Sequence, residues 1–353
     1  MSIGQTPGLS LDADRGAGVE ASLVPRSRTA QIAHVLQRDG VGALIVLVLI
    51  AVVSSALVNS FATAGNLRNM AIAASFPAII ALGMTLVIIT GGIDLSVGAV
   101  FALGAVLATK ALDPAKGLHR GVWTALALAL GAALLIGLTQ GLLIARVGLP
   151  PFIVTLAGLY GVRGLVFLVS KEGNDVYSAP AHSNFVAFGT GSLLSVGYPV
   201  LIAIALYLIG HVLLSRTPFG LSIFAIGGSE DAASLMGLKV RRTKVRLYVM
   251  SALLAGGAGV LSGAYSQSGI PLAGQGAELD AIAAVVIGGT LLTGGAGSVI
   301  GTACGVLLLA VVQNIINLGA FGDIPSSAQR VVTGGFLIAV VVVQRYLNRV
   351  QRR

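Results

Sequence analysis

The polar side chains of this sequence are few, and their spacing limits the chemistry open to them. The four histidines, His34, His119, His182 and His211, are scattered over tails, loops and one span end. The single cysteine, Cys304, lies inside an apolar run and reads as a small packing residue. There is no HExxH metal pair, no GxSxG elbow, and no paired-carboxylate or Ser/His arrangement that would make a nucleophile. One cysteine builds neither a disulfide framework nor a thiolate metal site. A GxxxxGK[ST] loop to cradle phosphates is missing as well. An enzyme is therefore not expected, nor a metal or nucleotide cofactor held by this chain.

The densest polar stretch is an island at 216–246, RTPFGLSIFAIGGSEDAASLMGLKVRRTKVR, between long apolar runs. Lys239, Arg241, Arg242, Lys244 and Arg246 cluster at its end, as in a cytoplasmic loop beside a membrane span. Residues 229–236 are expected to form a short helix. Ser229 caps its first free N–H groups, Glu230 and Asp231 suit its positive end, and Gly237 stops it. A structured helix on the inner face of a membrane protein points to a docking place for a soluble partner.

Composition dictates what positions these residues. The chain has 353 residues, 56% of them hydrophobic and 10% charged. A soluble domain carries about 25% charged residues, so an all-α polytopic membrane protein is expected. The 48 glycines suit close packing of membrane helices. The net charge of +9 does not point to nucleic acid, because the basic residues flank apolar spans. Roughly ten spans are expected, near 41–59, 68–90, 94–112, 121–145, 151–170, 196–215, 246–268, 279–293, 297–318 and 327–344. Residues 1–39 read as a disordered cytoplasmic tail without a secretory signal. Residues 40–345 form the membrane domain, which includes the loop at 216–246, and residues 346–353 form a basic cytoplasmic tail. Most arginines and lysines fall on one side if both termini are cytoplasmic, leaving Arg68, Lys110, Lys116, Arg120 and Lys171 outside.

One motif is echoed. TGGIDLSVG at 90–98 recurs loosely as TGGAGSVIG at 293–301, and Gln140-Gly141-Leu142-Leu143-Ile144 as Gln313-Asn314-Ile315-Ile316. The matching direction predicts a parallel duplication of spans two to five and seven to ten, of the kind common in transporters. Gly91, Gly92, Asp94, Ser96 and Gly98 form a structural turn in which Asp94 is expected to cap the following helix. Arg163 and Arg330 sit inside or at the start of apolar segments and need polar or anionic partners.

With these motifs in view, the chain resembles, over about residues 40–345, the permease subunits of ribose-type ATP-binding-cassette (ABC) importers, the monosaccharide branch of bacterial binding-protein-dependent systems. The likeness rests on ALGMTLVIITGGIDLSVG at 81–98, and on TPFG at 217–220 with AIGG at 225–228 and Ala232-Ala233. It implies a multi-pass protein of the bacterial cytoplasmic membrane that translocates a sugar or sugar-like solute. The implied partners are a cytoplasmic ABC ATPase that binds ATP and Mg, a soluble sugar-binding receptor, a second permease copy, identical or similar, and membrane lipid. It also implies that Gly228, Ser229, Glu230, Asp231, Ala232, Ala233 and Gly237 couple to the ATPase. Two positions depart from the family: Leu221 stands where arginine is usual, removing a cation, and Ser229 where asparagine is usual, a mild change for a cap.

Sugar hydroxyls need both donors and acceptors, which makes Thr85, Gln140, Thr155, Tyr160, Gln267, Gln313 and Asn314 the candidate pathway lining. The rival reading is an ion-coupled secondary sugar transporter, which would bury carboxylates for proton or sodium coupling. Asp94, Glu278, Asp280 and Asp323 are expected at turns or span ends instead. The cargo is left open, because a separate receptor would set most of the specificity.

Overall fold

The computed structural model describes residues 41–319 and positions 331, 334, 335 and 338. The tail at 1–39, Asp323, Arg330, the span expected at 327–344 apart from those four positions, and the tail at 346–353 lie outside the described residues. The described part is helical: α1 (Val41–Leu57), α2 (Ala64–Ile89), α3 (Val97–Leu112), α4 (Val122–Leu142), α5 (Pro151–Val169), α6 (Asn184–Thr190), α7 (Tyr198–Arg216), α8 (Pro218–Gly228), α9 (Glu230–Leu235), α10 (Val240–Ser266), α11 (Ala277–Ile287) and α12 (Val299–Asn317). Two small antiparallel ribbons complete it, β1 (Tyr177–Ser178) with β4 (Ser268–Gly269) and β2 (Ser192–Leu193) with β3 (Val196–Gly197).

Six helices are long and apolar enough to cross a membrane: α2, α4 with its extension to Val147, α5, α7, α10 and α12. The protein is a polytopic all-α membrane protein, with six helices of spanning length among the described residues. α1 and α3 are shorter apolar helices. The apolar run read as a span at 279–293 is helical only over the 11 residues of α11. At 1.5 Å per residue that covers about 16 Å, half of a hydrocarbon core. The chain then leaves the helix at Gly289, whose φ of 94° is left-handed and open to glycine without strain.

α10 is the axis of the bundle. Its residues Ala252, Ala255, Ala258 and Leu261 share one core with Ala99, Phe101 and Val106 of α3, Ile80 and Met84 of α2, and Ala133 of α4. Small residues set the spacing. A Cβ on Gly104 would collide with the Gly256 carbonyl oxygen, and one on Gly259 with that of Phe101. α4, α5 and α7 instead present exposed Leu135, Leu168 and Ile209 outward, the faces lipid would cover.

At the end of the bundle where α3 finishes, Asp113 gathers the loops. Its carboxylate accepts hydrogen bonds from the N–H groups of Ala115, Lys116 and Ser178, each at 2.8 Å. Burial pushes this carboxyl up, but the N–H groups of Lys116, Ser178, Ala115 and Gly117 outweigh that and hold it below the ordinary carboxylate range. Asp175 pairs with Lys171 at 3.0 Å and with Lys116 at 3.6 Å, so two of the cations expected on the outer side have carboxylate partners.

The tight α3–α10 contact predicts that Gly104→Ala forces the helices apart. It should cost about 1–3 kcal/mol, read as a lower melting temperature of the purified protein in detergent. Gly131→Ala, where an added methyl meets nothing within 4 Å, should leave that temperature unchanged or raise it.

Candidate functional site

After α7 the chain turns sharply. Thr217 is extended and its Oγ1 accepts the Gly220 N–H at 3.2 Å, while Pro218 occupies the first turn of α8, where its missing N–H costs nothing. α8 ends at Gly228, and Ser229 starts α9 by accepting the Ala232 N–H on its Oγ at 3.3 Å. Glu230 and Asp231 occupy the first turn, and Gly237, with φ of 82°, takes the chain out. The underside of this arm is apolar: Ile226, Ala233 and Val240 are buried together against Ala225 and Leu238. Its outer side exposes Leu235 and Met236, the former at 90%. Glu230 forms an ion pair with Lys244 of α10. The basic cluster read as loop belongs to a helix: Lys239 is the N-cap of α10, and Arg241, Arg242, Lys244 and Arg246 lie in its first two turns.

The arm sits on backbone. A Cβ on Gly227 would collide with the Ile89 carbonyl oxygen and lie 2.5 Å from the Gly295 nitrogen. The Gly295 N–H itself donates to the Ile89 carbonyl at 2.8 Å. Gly91, Gly294 and Gly295 all have left-handed φ, between 76° and 84°. A Cβ on Gly294 would lie 2.8 Å from the Gly91 nitrogen and 3.1 Å from the Gly227 oxygen. The two stretches that echo each other in sequence therefore meet here, with the end of α8 against both.

From this seat the chain runs back into the bundle, and Asp94 departs from its expected role. It is fully buried. One carboxylate oxygen accepts the Ser96 N–H at 3.0 Å and the Ser96 hydroxyl at 2.7 Å; the other accepts the Ser251 hydroxyl of α10 at 2.7 Å. α3 begins with Ser96 as its N-cap, without a side-chain cap. Asp94 thus ties the turn to α10 instead of merely capping α3. Ser251 is the twelfth residue of α10, about 17 Å from its start, so the carboxylate lies deep. Ser96 also donates to Gln140 of α4 at 3.3 Å, and Thr155 of α5 donates to the Ile93 carbonyl at 3.1 Å. Glu278 is likewise buried, against Gly98. Asp94 lies in the turn between α2 and α3 and Glu278 in the first turn of α11, as expected of turns and span ends, yet both are buried, because these ends re-enter the interior.

The seven pathway candidates separate. Thr85 bonds to Thr302 of α12 at 2.7 Å, and Gln140 and Thr155 join the Asp94 cluster. Tyr160 is exposed on α5, and Gln267 is the exposed C-cap of α10. Gln313 and Asn314 alone of the seven line a cavity of about 290 Å³ between α2, α11 and α12, together with Asn69, Asp280 and Asn317. Asn314 and Asn66 exchange amide hydrogen bonds at its rim, at 2.8 and 2.9 Å. Sequence reading missed Asn66, Asn69 and Asn317. The signal was present, since Asn66 and Asn69, like Asn314 and Asn317, are three apart and share a helix face. Arg163 donates to the Pro271 and Ala273 carbonyls at 3.0 and 3.1 Å, satisfying non-helical backbone, with Glu278 as its nearby charge.

Residues 66–341 match the family described as branched-chain amino acid transport system / permease component. The chain is 40% identical to the inner membrane ABC transporter permease protein YjfF of Escherichia coli, over 82% of this chain and 86% of that one. It is 39% identical to the ribose import permease protein RbsC of Bacillus subtilis, over 87% and 94%. It is 34% identical to the L-arabinose ABC transporter permease protein AraH of Azospirillum brasilense, over 95% of each. No solved structure matches.

The Asp94 cluster predicts a graded loss of stability. Asp94→Ala leaves the Ser251 hydroxyl without its acceptor and Ser96 with only the longer bond to Gln140, and should cost about 1–3 kcal/mol. Ser251→Ala keeps the Ser96 bonds and should cost less. Thermal unfolding in detergent reads both; equal melting temperatures for Asp94→Ala and wild type would show that the cluster does not hold the bundle.

Proposed function

Because the chain belongs to the branched-chain amino acid transport system / permease component family, we propose that its α8–α9 arm is the lever through which an ATPase drives transport. The protein is the membrane-spanning permease subunit of an ABC importer, a multi-pass inner-membrane transport component. Its cargo is a sugar or sugar-like solute, as the names of the ribose and L-arabinose relatives support.

The observation that carries the lever is its seat. α9 exposes Leu235 and Met236 on one side, while α8 rests backbone to backbone on the turns leaving α2 and entering α12. A push on α9 reaches both turns with no flexible side chain between. In this reading Gly228, Ser229, Glu230, Asp231, Ala232, Ala233 and Gly237 form the docking element of a separate cytoplasmic ATPase, which binds the ATP and Mg. ATP drives the cycle only by favouring one of two states, and closure of the ATPase would be passed on as rigid-body motion. The α8–α9 end faces the cytoplasm, and both termini lie there. A soluble receptor delivers the solute at the opposite end. A second permease copy completes the pathway, and lipid covers the outer faces. The polar cavity with Gln313 and Asn314 is the best candidate for a stretch of the path, since amides offer sugar hydroxyls donors and acceptors.

Buried Asp94 and Glu278 are what an ion-coupled carrier would also have, so burial does not separate the two readings; kinship with importer permeases favours the first. Replacing 228–234 with a flexible linker should abolish ATP-driven uptake by the reconstituted importer while membrane insertion stays normal. Normal uptake by that variant would reject the lever. Uptake driven by an ion gradient, with no ATPase present, would reject the importer.

A further inference from the structure

The first turns of α10 break a local electrostatic rule. Lys239, Arg241, Arg242, Lys244 and Arg246 crowd the N-terminus of a 27-residue helix. The backbone dipole is already positive there, and carboxylates, not cations, are favoured. The first turn contains no acidic residue, and Lys239 makes no side-chain cap. Lys244 has Glu230. Arg241, Arg242 and Arg246 instead line a cavity of about 390 Å³, and Arg146, from the π turn that ends α4, joins them across it. No carboxylate among the described residues forms an ion pair with any of the four.

The same cavity is apolar away from the helix ends. Leu138 and Leu142 line it from α4, on the stripe that continues to Arg146 at four-residue spacing, and Val245 lines it from α10. The two helices close its back, where a Cβ on Gly141 would lie 2.9 Å from the Val245 Cα. The cleft is therefore graded with depth: guanidinium groups at the bundle end, hydrocarbon one to two turns further in. A small anion matches the arginines but not the leucines; a phospholipid matches both. Arginine also suits a phosphate better than lysine, because its planar fork donates two hydrogen bonds at once.

We propose that this cleft binds an anionic phospholipid, with the phosphate held by Arg146, Arg241, Arg242 and Arg246 and an acyl chain lying along Leu138 and Leu142. The lipid supplies the negative charge that the start of α10 lacks. Through α10 it supports the helix that carries Ser251 to Asp94. This site is separate from the solute path, and it stands whether or not α9 is the lever.

The test uses the full-length protein in detergent, with phosphatidylglycerol, phosphatidylethanolamine or inorganic phosphate added. Retention is read by native mass spectrometry and stability by melting temperature. Phosphatidylglycerol should be retained and raise the melting temperature, whereas the zwitterionic lipid and free phosphate should do neither. Each single Arg→Gln change should weaken phosphatidylglycerol binding about fivefold, and the four together should abolish the stabilisation. If the fourfold variant does not fold, Arg146→Gln and Arg246→Gln, both at exposed positions, carry the same readout. Equal retention of the two lipids, equal stabilisation by free phosphate, or wild-type binding by the arginine variants would each overturn the proposal.

Discussion

At Gly227 the end of α8 and two turns of the bundle approach until no carbon atom fits between them. A side chain there would occupy the space of the Ile89 carbonyl oxygen. Close approach of this kind demands glycine at Gly227 and at Gly294 before α12, where a Cβ would have no room, while Gly91 after α2 and Gly295 beside Gly294 complete the turns. Gly91, Gly294 and Gly295 adopt left-handed backbone as turn formers, and Gly294 serves twice, as turn former and as spacer. Side chains in a contact can change rotamer and absorb movement. Backbone atoms in van der Waals contact have no such freedom, so displacement of α8 must be shared by α2 and α12 or break the contact.

What keeps the turns from yielding is the polar cluster behind them. Asp94 is excluded from water and holds hydroxyls from its own loop and from α10. A buried carboxylate is costly unless its oxygens are satisfied, so the geometry of the loop and of α10 is fixed jointly. Gln140 and Thr155 extend the cluster to α4 and α5. The motif from Gly91 to Gly98 therefore joins the α8 seat at one end to the central helix at the other.

Much of this architecture was readable from apolar length. α2, α4, α5, α7, α10 and α12 fall within a few residues of expected spans, because a membrane-length apolar run has few other uses. The short helix α9 was readable from its cap, its acidic first turn and its glycine stop. α11 was overrun, since apolar composition continues past Gly289 although the backbone leaves the helix there. Asp94 was misjudged because a Gly-Gly-x-Asp turn is ordinarily near the surface, and only packing shows that it folds back inside. Among polar residues in the spans, nothing local separates Thr85, which bonds across to Thr302, from Gln313, which lines a cavity. That distinction depends on what the neighbouring helix presents.

If α8 and the glycine turns move as one body, disturbing their contact should separate ATP hydrolysis from transport. The most direct measurement is solute taken up per ATP hydrolysed by the importer reconstituted with Gly227→Ala, whose methyl would press on the Ile89 carbonyl. The expected result is a ratio that falls towards zero while the folded protein still binds its ATPase and hydrolysis continues. A wild-type ratio from folded Gly227→Ala protein would contradict transmission through this seat.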